Sequence, residues 1–366
     1  MNDLEGHGRH NRIGKSFRIG VAGLGEGKGL IKGLQNHPEL SVVAVCDVNQ
    51  EVLKKTLNEF AGPNGYSDYE EMVRRQDIDI IAIYTPDQLH FQHIKSAFQA
   101  GKHVICTKPL VNSLIEAREI LELKKAYPDQ QLLVGQSSRF FGPMQHQRKA
   151  FESGKLGELS YVETQYVHDM RWFYKTRGWA REGGFDLLFA CCSHPVDLIR
   201  WYMGDVDEVF AYASKSLIAE QVQFQGNDTF MINLKFESGR IGRVLGLYGL
   251  EHPHHTRPWI EVGVYGTKGT FIAKYPQLES IIKYEGEPER VESYFEDIYH
   301  YFQFEGVNHH AGEFVNYTEY FASCLAQNEK AFPDVVDGYK TIAVLEAIRE
   351  SIHSGMPVKV GKLVDE

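Results

Sequence analysis

FRIGVAGLGEGKGLIKGLQNHPELSVVAVCD, residues Phe17 to Asp47, is the stretch that decides the fold. It opens on an apolar run (Phe17, Ile19, Val21, Ala22) and enters a turn with glycine at every second position, Gly23, Gly25, Gly27 and Gly29. A helix-length segment follows, and a second apolar run, Val42 to Cys46, closes on Asp47. Near-continuous apolar runs are how strands covered on both faces read, and a helix between two of them makes the pair parallel. The glycines let backbone amides at a helix N-terminus approach a pyrophosphate, and an acid roughly 20 residues on is placed to hydrogen-bond an adenosine ribose. The order points to a dinucleotide, and to NAD(H) over NADP(H). Gly23, Gly25, Glu26, Gly27, Lys28 and Asp47 are the first cofactor-binding candidates. Lys28 stands where the fingerprint prefers a small residue, with Gly29 serving one place late, and its ammonium could touch a phosphate. A loop that merely caps a helix is the competing reading.

Outward from this stretch, strands and helices keep alternating. Gln50 to Phe60 and Tyr69 to Arg74 read as helices, and Ile78 to Tyr84 as a strand ending in Thr85-Pro86. His90 to Gln99 is a short helix and Val104 to Cys106 a strand that Thr107-Lys108-Pro109 interrupts. The proline keeps Lys108 out of helical geometry and presents it at the strand end. Ser113, with Glu116 three residues on, reads as a capping box opening the helix Leu114 to Ala126, and Leu132 to Val134 is a further strand. Such alternation predicts a parallel, doubly wound sheet with its ligand at the carboxyl ends of the strands.

The texture changes after Gly135. Pro143 to Ser153 reads as a helix, and strands follow at Leu159 to Val167, about Glu208 to Ser214, Thr229 to Phe236, Arg240 to Leu247, Trp259 to Tyr265 and Gly269 to Ala273. Glu237-Ser238-Gly239 and Gly266-Thr267-Lys268-Gly269 are the turns that antiparallel neighbours require. One long helix is expected over Asp186 to Trp201, and two more, Ala311 to Ala326 and Gly338 to His353, near the end. The fold class expected is an α/β Rossmann-type parallel sheet domain followed by an α+β domain with a large, mostly antiparallel, open-faced sheet. The boundaries are a flexible segment 1–16, a dinucleotide-binding domain 17–137, and a substrate and oligomerisation domain 138–366 whose last helices pack back on the first. An open sheet face asks to be covered, so a homodimer or homotetramer is expected.

Composition narrows the classes. A chain of 366 residues with 43% hydrophobic and 12% aromatic residues has about two domains' worth of core. Its net charge of −10 and lack of a basic stripe argue against nucleic acid as partner. With no apolar leader-like run near the start and no long uncharged apolar run, neither a membrane nor export is expected, and the cytoplasm is the default. The five cysteines (Cys46, Cys106, Cys191, Cys192, Cys324) lack metal-ligand spacing and mostly sit in apolar runs, so they read as buried thiols. His252, His254 and His255 flank Pro253 in a loop without fixed geometry, and no metal site is expected there.

With these elements in order, the chain resembles the Gfo/Idh/MocA family of NAD(P)-dependent oxidoreductases, from Phe17 to Val360. The stretches that carry the resemblance are the Gly23 turn with VCDVN (Val45 to Asn49), Thr85-Pro86-Asp87 leading to His90, GKHVICTKPL (Gly101 to Leu110), GKLGEL (Gly154 to Leu159) and SHPVDLIRWYMGDV (Ser193 to Val206). It implies hydride exchange between NAD, or less favourably NADP, and a small-molecule sugar, cyclitol or other polyol. It adds Thr85, Pro86, His90, Thr107, Lys108 and Gln136 to the cofactor candidates. Lys108 matches the family's Glu-Lys-Pro lysine and His194 its helix histidine, usually the proton relay. Arg171, Trp172, Asp197 and His194 are the substrate candidates, the first two in a stretch with His168, Asp169, Tyr174 and Arg177 where the family places a substrate loop, against the alternative of a solvated loop, and the last two on the later helix. His309 and His310 either line the cleft or cap a helix.

Oxidising a secondary alcohol with a nicotinamide needs a group to take the hydroxyl proton and a donor or cation to stabilise alkoxide character. His194 and Lys108 suit those tasks, against the plainer alternatives of a core histidine and a surface lysine. Two departures bear on activity: Thr107 replaces the motif's usual glutamate, and Ala190, one helical turn before His194, replaces the usual aspartate. Three functions therefore stand: a dehydrogenase, an enzyme that uses transient oxidation for elimination or glycoside cleavage, and a cofactor-binding homologue with altered or lost catalysis.

Overall fold

The structure, a computed structural model, describes residues 13–176, 185–251, 259–294 and 312–361. It divides into two compact units, the first running to Ser137 and taking in the later stretch that ends at Tyr339, the second starting at Ser138 and resuming at Lys340.

The first unit is built from β1 (Phe17–Ala22), α1 (Lys28–Gly33), β2 (Leu40–Cys46), α2 (Gln50–Glu59), β3 (Asn64–Tyr66), α3 (Tyr69–Val73), β4 (Ile80–Ile83), α4 (His90–Gln99), β5 (His103–Thr107), α5 (Leu114–Ala126) and β6 (Leu132–Gly135). Its six strands lie in the order β3-β2-β1-β4-β5-β6, with every pairing parallel. The order reverses between β1 and β4, which opens a crevice at their carboxyl ends, where this architecture binds nucleotides. All four residues of β4 are buried, as expected of a strand covered by helices on both faces. α1 is shorter than the sequence suggests, because Gly33 weakens its last turn and Pro38 stands just beyond. Ser113 occupies the N-cap of α5 with extended backbone, but its side chain makes no capping hydrogen bond, so the expected capping box is not formed. Residues 1–12 of the N-terminal segment lie outside the described residues. Ile13 is buried, and the N–H groups of Ile13 and Gly14 donate to the Glu39 carboxylate at 2.7 and 2.9 Å, which ties down the described end of that segment.

The second unit holds α6 (Gly142–Glu152), β7 (Leu159–Val167), α7 (Arg171–Thr176), α8 (Leu187–Ala190), α9 (Ser193–Met203), β8 (Val206–Ser214), α10 (Leu217–Gln221), β9 (Thr229–Phe236), β10 (Ile241–Leu247), β11 (Trp259–Gly266), β12 (Gly269–Tyr275), β13 (Glu279–Tyr284) and β14 (Arg290–Ser293). α11 (Glu313–Gln327) belongs to the first unit, α12 (Val335–Ser354) runs from the first into the second, and β15 (Val358–Lys359) ends the described chain in the second. Nine strands form one sheet in the order β14-β13-β12-β11-β7-β10-β9-β8-β15. Only β7 and β10 pair in parallel; all other neighbours are antiparallel. Along β9, Phe230, Ile232, Leu234 and Phe236 face inward while Met231, Asn233 and Lys235 are exposed, the alternation of a sheet covered on one face. Gln147 of α6 fastens helix to sheet, its amide donating to the carbonyls of Val262 and Phe271 at 2.8 and 2.7 Å.

The single helix expected over Asp186 to Trp201 is two helices, α8 and α9, joined at Cys191 and Cys192. Pro195 is the cause: it has no N–H to offer the Cys191 carbonyl, which takes the His194 N–H at 3.3 Å instead. Ala190 is thus the last residue of α8, not a residue one turn back on the helix of His194.

Candidate active site

The first unit supplies a cradle for a nucleotide at the β1–α1 turn. Gly23 has φ +86°, and a Cβ there would lie 2.5 Å from the Tyr84 carbonyl, so the turn packs against the end of β4 only without a side chain. Gly27 is closed in likewise, by the Gly23 carbonyl oxygen. Asp47 completes the turn. One carboxylate oxygen accepts the Leu24 N–H at 2.9 Å and the other accepts the Asn49 N–H at 2.8 Å, which fixes the carboxylate beside the glycines while leaving each oxygen lone pairs for ribose hydroxyls. Lys28, at the start of α1, forms an ion pair with Glu59 at 3.3 Å. At the far strand, Gln136 follows β6, is buried, and its Oε1 has no hydrogen-bond partner. A buried acceptor left unpaired calls for a donor from a ligand. Cradle, oriented acid and unpaired amide oxygen together fit a dinucleotide.

His90, one of the cofactor candidates, braces the ends of β4 and β5. The ring is buried, with Nε2 2.9 Å from the Thr85 carbonyl oxygen and Nδ1 2.9 Å from that of Pro109, so both nitrogens are turned to backbone. Burial holds its pKa below the ordinary value, against Asp87 and the surrounding carbonyls, which favour the charged form. His90 therefore joins the Thr85-Pro86 turn to the Lys108-Pro109 turn. Thr85 is half-buried with its hydroxyl 3.0 Å from His93 Nδ1, and Pro86 is exposed. Thr107 and Lys108, half-buried, sit at the carboxyl end of β5, and Gly135 of β6 lets the Thr107 backbone come close. Asp87 was not among the candidates. Its carboxyl is pushed up by burial while His90 and Lys108 draw it down, which places its charge in the neighbourhood of the lysine.

The second unit holds the histidine candidate. His194, 5% exposed, lies at the start of α9 with Nδ1 2.7 Å from the Ser138 hydroxyl, in the turn Ser137–Phe140. Tyr166, at the end of β7, meets the His194 ring edge to face at 5.6 Å, stacks with His168 at 6.1 Å and meets Tyr248 edge to face at 5.5 Å. The Tyr248 hydroxyl is 3.3 Å from Cys192 Sγ, and burial pushes that thiol well above its usual pKa.

Two substrate candidates form ion pairs within the protein. Asp197 is 1% exposed and receives a bidentate Arg139 guanidinium at 2.6 and 2.8 Å, with Arg139 also over the Trp201 ring at 5.3 Å. Its oxygens hold α9 to the Ser137–Phe140 turn. Arg171 is clasped by Asp169 and by Glu251. Of Trp172 only its place in α7 is described; Arg177, His252, His254, His255, His309 and His310 lie outside the described residues. Ser138 escaped the sequence because a serine beside an arginine carries no pattern; Asp87 stood in view within Thr85-Pro86-Asp87 without being named as a candidate. Among the described residues no group of three His, Cys, Asp or Glu side chains could hold a metal ion, and no helix is long and apolar enough to cross a membrane.

Comparison with known proteins gives the family and the fold. Residues 17–136 match the NAD-binding Rossmann fold of the Gfo/Idh/MocA oxidoreductase family, and residues 148–360 match that family's C-terminal alpha/beta domain. The chain belongs to this family of oxidoreductases, and its first unit is an NAD-binding domain. Among its relatives, the myo-inositol 2-dehydrogenase of Thermotoga maritima is 27% identical over 70% of this chain and 75% of its own length. The levoglucosan dehydrogenase of Pseudarthrobacter phenanthrenivorans is 22% identical over 84% of this chain and 86% of its own. In fold, an oxidoreductase from Agrobacterium radiobacter, solved in complex with NAD+, L-tartaric acid and magnesium, superposes with a TM-score of 0.83 at 20% identity, covering 95% of this chain and 99% of that one.

Proposed function

We propose that this protein is an NAD-dependent dehydrogenase of a sugar, cyclitol or glycoside, acting on one secondary hydroxyl and its ketone. The observation that carries this is the strand-end arrangement of the first unit: an acid fixed to the glycine turn for NAD, and a lysine presented at the end of β5. The polyol-handling names of the relatives and the aromatic lining around His194 support the substrate class. When bound, the nicotinamide accepts or returns the hydride. Lys108 supplies positive charge to an oxygen gaining alkoxide character, which lowers the barrier most where water is excluded. His194 takes the hydroxyl proton, the general-base task that imidazole serves most often. Gln136 accepts a hydrogen bond from the cofactor, and Asp47 accepts from its ribose and disfavours a 2′-phosphate.

The test is a spectroscopic screen of the full chain with NAD+ against cyclitols, aldoses, anhydrosugars and glycosides. Accumulating NADH with one of them supports the dehydrogenase. Product without net NADH would instead identify transient oxidation, and NAD binding with neither would identify a binding homologue.

The same proposal includes a homodimer or homotetramer assembled through the outer face of the nine-stranded sheet. Tyr212, 62% exposed, pairs across the strands with Met231, 51% exposed, which pairs in turn with Leu245. An apolar row of this kind favours cover by a second copy. Light scattering at micromolar concentration that gives the 41.7 kDa monomer would refute it.

A further inference from the structure

Resting on the dehydrogenase reading above, we propose that Ser138 orients His194 for proton transfer through Nε2, in the role the family resemblance gives to an aspartate. At that aspartate's position stands Ala190, whose methyl group cannot bond an imidazole and which ends a separate helix. The one acid on α9 within a turn of His194 is Asp197, and Arg139 engages both its oxygens. The Ser138 hydroxyl, by contrast, lies 2.7 Å from His194 Nδ1 with both groups buried.

The geometry is fixed from two sides. Ser138 and Arg139 are consecutive in one turn, and their partners His194 and Asp197 are three apart on α9, hence on one helix face. The bidentate Arg139–Asp197 pair thus sets the register in which Ser138 meets the imidazole. Tyr166 packs edge to face on the ring and restricts its tilt. In the proposed state the serine oxygen accepts from Nδ1–H, so the ring exchanges the substrate proton at Nε2. A hydroxyl orients the ring as a carboxylate would. Being uncharged, it gives the imidazolium none of the stabilisation that an aspartate provides.

The tautomer of His194 decides this, and it can be read without turnover. The full chain, with saturating NAD+, is labelled with 15N-histidine, and the His194 signals are identified by their loss in His194→Gln. We expect the neutral ring in the Nδ1–H form. In Ser138→Ala it should revert to the Nε2–H form that free histidine prefers, while Ser138→Thr, which keeps the hydroxyl, should retain Nδ1–H. An Nε2–H ring in the unmutated protein would overturn the proposal, and so would a tautomer that Ser138→Ala leaves unchanged. Should Ser138→Ala not fold, the tautomer of the unmutated protein decides alone. Failure here leaves NADH production untouched as a test of the dehydrogenase itself, so the two readings fall separately.

Discussion

Asp47 accepts the N–H of Leu24 at 2.9 Å, which ties the acid that closes β2 to the glycine turn that leaves β1. The second carboxylate oxygen takes the Asn49 N–H, so the group is aimed before any ligand arrives. Cofactor preference and turn geometry therefore rest on one side chain, and substitutions can separate them. Asp47→Asn keeps an oxygen that can accept one of these amides but loses the charge. It should narrow the preference for NAD(H) over NADP(H) by about tenfold, roughly 1.4 kcal/mol, with little loss of NAD(H) affinity. Asp47→Ala removes both acceptors and should also weaken NAD(H). Calorimetric titration with both cofactors measures this, and tighter NADP(H) binding by the unmutated protein would contradict it.

Arg139 and Asp197 are a buried pair whose loss should be felt in stability, not only in rate. Removing one partner leaves the other charge uncompensated in the interior, an effect that typically costs about 3–5 kcal/mol. Asp197→Ala should lower the midpoint of urea unfolding accordingly. Replacing both with apolar residues of similar volume, Arg139→Met with Asp197→Leu, should recover a substantial part of it. If Asp197→Ala left the midpoint unchanged while abolishing substrate binding, Asp197 would be a ligand after all.

The parts legible in the sequence were those whose signal is local. β1, β2 and β4 are covered on both faces, so their apolar runs stand out unaided, and Asp47 sits where a ribose acid must. β9 and β10 were found because Glu237-Ser238-Gly239 marks the turn between them. β13 and β14, at one edge of the second sheet, interleave Lys283, Arg290 and Glu292 with apolar residues and gave no comparable run. The break between α8 and α9 was written in Pro195, yet apolar periodicity on both sides outweighed it. His90 and Ser138 were beyond local pattern. His90 is defined by carbonyls 5 and 19 residues away, and Ser138 by an imidazole 56 residues away.

His93 carries a pH dependence. Its ring stacks on Tyr69 at 4.0 Å, and burial, with His90 nearby, lowers its pKa from 6.5 to about 4. Between those values the unfolded chain binds a proton that the folded chain does not, so stability rises with pH through this window. The contribution is complete above about pH 6.5 and is lost as pH falls towards 4. His90 and His103, also lowered by burial, share the overall slope, so the difference between variants isolates His93. Melting temperatures measured from pH 7 down to 4 should fall less steeply in His93→Gln than in the unmutated protein. Parallel curves would show that this ring does not titrate as its burial implies.

Lys108 is where cofactor binding and chemistry should come apart most clearly. It follows β5, whereas the glycine turn and Asp47, which we propose hold the adenosine half of the cofactor, stand at the ends of β1 and β2. Removing the ammonium by Lys108→Met should therefore leave NAD(H) affinity within about tenfold. A cation whose attraction grows as the substrate oxygen gains alkoxide charge acts on the transition state more than on the bound ground state. Its loss should then lower kcat by about 100-fold or more, with KM moving less. Lys108→Arg tests the chemistry further: it keeps the charge but spreads it over a larger planar group with different donor directions, so only partial rescue is expected. Asp87, whose carboxyl Lys108 helps hold in the charged form, should then titrate at higher pH in Lys108→Met, a change visible by NMR without substrate. If Lys108→Met retained full turnover, the stabilising charge would have to come from another residue, and Lys108 would be a strand-end lysine of the binding site only.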